Sequence, residues 1–279
     1  MNYIKRPVIL KREPNTHKGT YGTALLVCGS YGMVGALALS AKGCLRSGVG
    51  LAKCVVDEKI YPIVASLLPE AVFVVTDQED MISRLENELK TANSVLFGCG
   101  VGQSRQTEQI LGFIIKNANT PIIIDADGIN ALAIHINILR QAKAPLILTP
   151  HPKEMSRLTG KTVEEIEKDR IGTATEFSKH HNVYTVLKGH NTVVATPTGE
   201  YFINPTGNAG MASGGSGDVL AGIMAARLCQ NTDITLAVTE AVYIHGLAGD
   251  IAAERHSQTA MLPSDIIEEL PCVYKILEG

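Results

Sequence analysis

Four features are missing from this 279-residue chain: a block of one charge sign, a paired cysteine motif, an unbroken apolar run and an internal linker. Its 25 basic and 28 acidic residues are interspersed and leave a formal charge of -3, which gives no broad electrostatic footprint for nucleic acid or an anionic membrane. Any anionic ligand must therefore be bound locally. The six cysteines, at 28, 44, 54, 99, 229 and 272, contain no C-x-x-C pair, and a chain of this length needs no disulfide staples. Buried free thiols in a reducing cytoplasm are expected. The opening residues MNYIKRPVILKREPN carry charges but no apolar block of signal-peptide length, so export is not expected. The uncharged run between Lys18 and Lys42 has the length of a membrane span, yet it holds five glycines and breaks at Gly29-Ser30-Tyr31-Gly32. Strand, glycine loop and helix fit it better. With no linker, charge block or repeat and 45% hydrophobic residues, one domain over residues 1–279 with a large core is expected.

Short Val/Ile/Leu runs alternate with alanine- and leucine-rich helical patterns, the signature of an α/β domain with a mainly parallel sheet. Strands are expected over 24–28, 51–56, 71–75, 94–97, 121–124, 145–148 and 183–187, followed by 192–195 and 201–203. Helices are expected over 35–47, 58–67, 80–90, 105–117, 128–134 and 163–180, with three more helices and no strand from Met211 onward.

The unusual residues lie in loops after strands, where α/β sheets bind ligands. Asn204–Leu220, reading NPTGNAGMASGGSGDVL, has five glycines in seventeen residues and runs into an apolar helical segment with Asp218 at the junction. Glycine permits positive φ and close ligand approach, and the first N–H groups of a helix favour an anion. Gly214, Gly215, Ser216 and Gly217 thus form a candidate phosphate cradle with one acid beside it. A flexible loop with Asp218 as a helix cap is the simpler alternative. GSYGMVGA (29–36) lacks the G-x-G-x-x-G spacing of a dinucleotide fingerprint, so it is either an anion-facing turn or a packing turn. GCGVGQS (98–104) supplies a second glycine-lined strand end. Asp125 and Asp127 in DADG could orient a metal or its waters, or could cap and hydrogen-bond the turn. In LTPHPKEMSRL (148–158), two prolines present His151 from a rigid loop, and Glu154 falls in the first turn of a helix, facing either the helix dipole or a hydrated Mg²⁺. LKGHNT (187–192) brings a mobile charge, Lys188, and a close-approach glycine to a strand end, which suits a nucleotide as well as a plain hairpin. His245 is read as an interior or interface histidine.

Taken together, HKGTYGTALLVCGSYGMVGA (17–36), RSGVGL (46–51), GCGVG (98–102), DADGINAL (125–132), LTPHPKEMSRL, LKGHNT and TGNAGMASGGSGDVLAG (206–222) resemble the ADP-dependent NAD(P)H-hydrate dehydratases of the ribokinase-like superfamily. The resemblance spans nearly the whole chain. It implies an α/β, ribokinase-like fold: a central, mostly parallel sheet flanked by helices on both faces. It also implies ADP as co-substrate and Mg²⁺ as cofactor. By the same resemblance Lys188, Gly189, His190, Asn191, Thr192 and Gly217 contact the adenine nucleotide. Ala36, Gly102, His151 and Asp218 line the hydrate site, with Asp218 as the base. His151 stands where related kinases have the Asn of N-x-x-E, and Glu154 keeps the Mg²⁺-organising position, acting through water. A homotetramer, and an NAD(P)H-hydrate epimerase on a separate chain as functional partner, follow by analogy. A small-molecule kinase resembling hydroxyethylthiazole kinase is the alternative, and neither nucleic acid nor membrane is expected as a partner.

Overall fold

The computed structural model describes residues 2–77 and 80–279. Met1, Gln78 and Glu79, inside the expected domain span, lie outside the described residues. The strands are β1 (Thr23–Val27), β2 (Leu51–Asp57), β3 (Val72–Thr76), β4 (Ser94–Phe97), β5 (Ile122–Ile124), β6 (Leu146–Leu148), β7 (Tyr184–Leu187), β8 (Val193–Ala195) and β9 (Tyr201–Ile203). They form one sheet in the order β3-β2-β1-β4-β5-β6-β7-β8-β9. Every pairing from β3 to β7 is parallel, and β8 and β9 close the edge antiparallel. The expected mostly parallel sheet is present.

Alternating side chains face opposite layers, as a pleated strand requires. Ile122 and Ile124 join Leu25, Phe97 and Leu148 in one core, while Ile123 joins Leu26, Leu96 and Val186 in the other. A strand covered on both sides therefore reads as a continuous apolar run. The first core is covered by α3 (Met81–Leu89), α4 (Arg105–Asn117), α5 (Asp127–Ile134), α6 (Pro152–Thr159), α7 (Val163–Lys168) and α8 (Arg170–His181). The second is covered by α1 (Val34–Arg46), α2 (Tyr61–Leu67), α9 (Ser216–Gln230), α10 (Ile234–Ala260) and α11 (Pro263–Leu277).

One expected helix, 163–180, is two. Asp169 leaves the helical region at φ -141° and ψ 71°, and its side chain accepts from the Gly172 N–H to cap α8. That local hydrogen bond offers the backbone an alternative to continuing α7. The three expected C-terminal helices are present, with Asp233 capping α10 and Pro263 opening α11.

Candidate functional site

The carboxyl ends of β4 to β7 meet the first turn of α9. Asp125, the residue after β5, is 1% exposed at its side chain and accepts from Lys188 Nζ at 2.6 Å and from Thr149 Oγ1 at 2.7 Å. Burial pushes its carboxyl up, but the charge and hydrogen bond of Lys188 outweigh this and hold it below the usual carboxylate range. Lys188 responds in the opposite sense, its burial overcome by Asp125 and Glu154, so it stays an ammonium. The helix-cap role expected of Asp125 does not describe this pairing. The N-cap of α5 is Ala126, in the unusual conformation φ 48°, ψ -115°. Asp127 does brace a turn, accepting the Gly102 N–H at 2.9 Å. Gly98, at φ 120°, lets these strand ends close up, because a Cβ there would overlap the Asp125 carbonyl oxygen.

Asp218 lies in the first turn of α9, whose N-cap Gly215 makes no side-chain cap, so the helix-cap alternative for Asp218 does not hold. Ligand atoms of Asp218, Asp125 and Cys99 all lie within 4.8 Å of one another. Burial, and then the charge of Asp125, raise the Asp218 carboxyl to about 7. Cys99 donates to Asp125 at 3.6 Å; its bond with Cys28 and its burial keep it a thiol. His151 caps α6: Nδ1 accepts the Glu154 N–H at 3.1 Å, and Glu154 Oε2 accepts the His151 N–H at 2.8 Å. Glu154 is 5% exposed at its side chain, with Lys188 Nζ 3.9 Å from Oε2. Burial raises it to about 7 against the pull of Lys188.

Beside this cluster opens a cavity of about 630 Å³, within the usual size of small-molecule sites, roughly 300–1,000 Å³. Lys188, Gly189, His190, Asn191, Thr192, His151, Ser216 and Gly217 line it. The turn from Lys188 to Thr192 is both the hairpin between β7 and β8 and a wall of this cavity, so its two readings coincide. Ala36, Gly102, Gly214, Gly215, Glu154 and Asp218 lie outside its lining. Ala36, in the first turn of α1, lies under the β4 loop, its Cβ 2.7 Å from where a Cβ on Gly100 would stand. Gly215 turns at φ 101° against Leu39, and Gly214 has open space around it.

Three residues outside the motif loops also shape the site. Arg170 donates to the Leu187 and Lys188 carbonyls at 2.8 and 3.1 Å and so fixes the turn that follows. His245 on α10 is an interior histidine as expected, but it also lines the cavity and lies 3.3 Å from Ser216 Oγ through Nε2. Burial lowers it to about 4, so it is neutral. Asp250 accepts from the Gly207 N–H and from Asn208 Nδ2, at 2.9 and 3.0 Å, tying the cavity's far wall to α10. Such partners are distant in sequence from the motif loops they brace.

Comparison with known proteins places these features in context. A family model described as NAD(P)H-hydrate dehydratase matches residues 24–272. The bifunctional NAD(P)H-hydrate repair enzyme Nnr of Moorella thermoacetica is 36% identical over 280 residues, covering 98% of this chain and 53% of that protein. The chain thus spans about half the length of that relative. The crystal structure of the ADP/ATP-dependent NAD(P)H-hydrate dehydratase from Bacillus subtilis, co-crystallized with ATP/Mg²⁺, superposes with a TM-score of 0.86 at 35% identity, over 97% of this chain and 95% of that one. A ribokinase-like superfamily protein from Enterococcus faecalis gives 0.85 at 30% identity, over 97% and 93%.

Proposed function

The chain belongs to the NAD(P)H-hydrate dehydratase family and has the ribokinase-like fold, and from that premise we propose that it dehydrates the S form of NADH and NADPH hydrates at the expense of ADP, releasing AMP and phosphate. The observation that carries this reading is the adjacency of Gly217 and Asp218 in one helical turn: Gly217 lines a cavity of nucleotide size, and Asp218 stands in the buried carboxylate cluster.

Lys188 to Thr192 and Gly217 hold the adenine nucleotide, and Ala36, Gly102, His151 and Asp218 hold the hydrate. The hydrate carries a hydroxyl on C6 of the reduced pyridine ring, and hydroxide leaves poorly. Asp218 takes the hydroxyl proton while that oxygen attacks the terminal phosphorus of ADP, and the bond to the AMP oxygen breaks. The ring nitrogen's electron pair then expels phosphate from C6, and loss of the C5 proton restores the reduced ring. The backbone N–H groups of Gly214 to Asp218 and the Lys188 ammonium take up the charge that develops on the transferring phosphoryl group.

Mg²⁺ is commonly held by one or two carboxylates together with water and phosphate oxygens. Glu154 fits such an ion through water, as a carboxylate whose Oε2 is held by the His151 N–H and whose Oε1 lies 3.4 Å from His151 Nε2 at the cavity's edge. When bound, the ion supplies neutralising charge at the phosphates. The B. subtilis relative was crystallised with ATP and Mg²⁺, which supports the nucleotide and metal parts of the reading. A homotetramer in the cytoplasm, and a separate epimerase chain that interconverts the hydrate forms, complete it. No described helix is long and apolar enough to cross a membrane.

The test is to incubate the protein with the hydrate, Mg²⁺ and either ADP or ATP, and to follow reduced-nicotinamide absorbance. Recovery with release of AMP and phosphate from ADP is expected. No recovery with either nucleotide rejects the proposal, and a stable phosphorylated product points to a small-molecule kinase instead.

A further inference from the structure

A second cavity, of about 270 Å³, opens at the carboxyl ends of β2, β1 and β4. It lies on the opposite side of the carboxylate cluster from the nucleotide cavity: in sheet order the second cavity comes first, the cluster at β4 and β5 next, and the nucleotide cavity at β6 and β7 last. Val101 lines it, and the next residue, Gly102, binds Asp127 on the cluster side. Its size falls a little under that of a whole small-molecule site and suits one nucleoside. Val27, Val55, Ile60 and Phe97, all almost completely buried, form the apolar floor of this slot.

The glycine turn Gly29-Ser30-Tyr31 and Asp57, the last residue of β2, both line this slot. A carboxylate at the end of the second strand, beside a glycine turn after the first, is the geometry in which dinucleotide-binding sheets read a ribose diol. The turn here lacks the G-x-G-x-x-G spacing. Asp57 Oδ1 accepts the Lys59 N–H at 2.8 Å, and Oδ2 has no partner among the described residues. Asp57 is half-buried, whereas Lys59 is exposed at the rim.

We infer that this second cavity binds the adenosine half of the dinucleotide hydrate, with Asp57 accepting from its ribose hydroxyls and disfavouring a 2′-phosphate. The inference rests on the dehydratase reading and extends it to substrate preference. A substrate reaching from the cluster into this slot leaves the nucleotide cavity to ADP, so both ligands are held at once along one edge of the sheet.

The test compares kcat/KM for NADH and NADPH hydrates at saturating ADP in the wild type and in Asp57→Asn, which keeps the acceptor for the Lys59 N–H. The wild type is expected to favour NADH hydrate. The variant should raise the KM for NADH hydrate on the order of tenfold, the worth of one hydrogen bond to a charged group, with kcat and the KM for ADP retained, so that the preference shrinks. An unchanged ratio, or an equal loss on both hydrates, overturns the inference. Fluorescence-detected binding of the products NADH and NADPH, with excess AMP filling the first cavity, provides a readout free of turnover and of the variant's folding. Equal wild-type affinities overturn the inference there. A wild type that turns over neither hydrate defeats the dehydratase reading, while a selective product-binding result still stands for this cavity.

Discussion

A carboxylate in the first turn of a helix is ordinarily stabilised as an anion by the helix dipole, yet Asp218 is raised to about 7. Burial and the neighbouring Asp125 outweigh the dipole, and the result is a carboxyl that titrates near neutrality, as the proposed base role requires. Because Asp218 must be ionised to accept a proton, kcat/KM for the hydrate should fall as the pH drops through about 7. Glu154 titrates in the same range, so Glu154→Gln, which preserves the capping hydrogen bond, is the control that should keep this acid limb. Asp218→Asn should lose at least about 10²-fold in kcat, the usual share of general-base catalysis, while still binding ADP; near-normal turnover would remove Asp218 from the role. Asp125→Asn removes a negative neighbour and frees the Lys188 ammonium to act on Asp218. Both effects lower the Asp218 carboxyl, so the acid limb should move to lower pH. The same change weakens the closest contact of the Lys188 ammonium, leaving Glu154 at 3.9 Å as its charged partner, and should cost about 2 kcal/mol in denaturant titration, the range of a hydrogen bond to a charged group. The importance of Asp125 was only half legible in the sequence: DADG was conspicuous, but its partner lies 63 residues away.

At the scale of elements, the strands were legible because each is a short apolar run, the central ones buried on both faces, and their ends fall within a residue or two of expectation, as at the partly exposed edge strand Val72–Thr76 against 71–75. The break between α7 and α8 was not, because 163–180 is rich in helix formers and the break rests on a single hydrogen bond from Gly172 to Asp169. Packing between α1 and α9 was equally hidden, although it sets the height of the turn that carries Asp218. A Cβ on Gly222 would overlap the Ser40 carbonyl oxygen of α1. Gly222 lies four residues after Asp218, one turn further along the same face. Gly222→Ala should therefore push α9 from α1, lower the melting temperature and reduce kcat more than it raises the KM for ADP. A normal kcat in a destabilised protein would show that the catalytic turn is positioned independently of that crossing.

For the whole molecule, the parallel sheet gathers the loops after β1, β4, β5, β6 and β7 at one edge, and the chain's last third returns over it through α9 and α10. Loop-by-loop reading could find the walls because each motif follows its own strand. It could not find the order of the sites along the edge, which depends on strand order rather than on sequence order. The first cavity joins the turn after β7, the first turn of α9 and His245 of α10, so on the proposed reading bound ADP would tie the sheet to the returning helices. Binding at about 100 times Kd adds roughly 2.7 kcal/mol to the folded state. At about 2–4 °C per kcal/mol for a domain somewhat smaller than this, that is a rise in melting temperature of roughly 5–10 °C. Asp218→Asn should keep this rise, since Gly217 and Lys188 are untouched. Arg170→Ala should shrink it, because the guanidinium holds the Leu187 and Lys188 carbonyls that set the nucleotide turn. An undiminished ADP shift in Arg170→Ala would mean that the hairpin between β7 and β8 holds the turn unaided, and that the clamp from α8 serves stability alone.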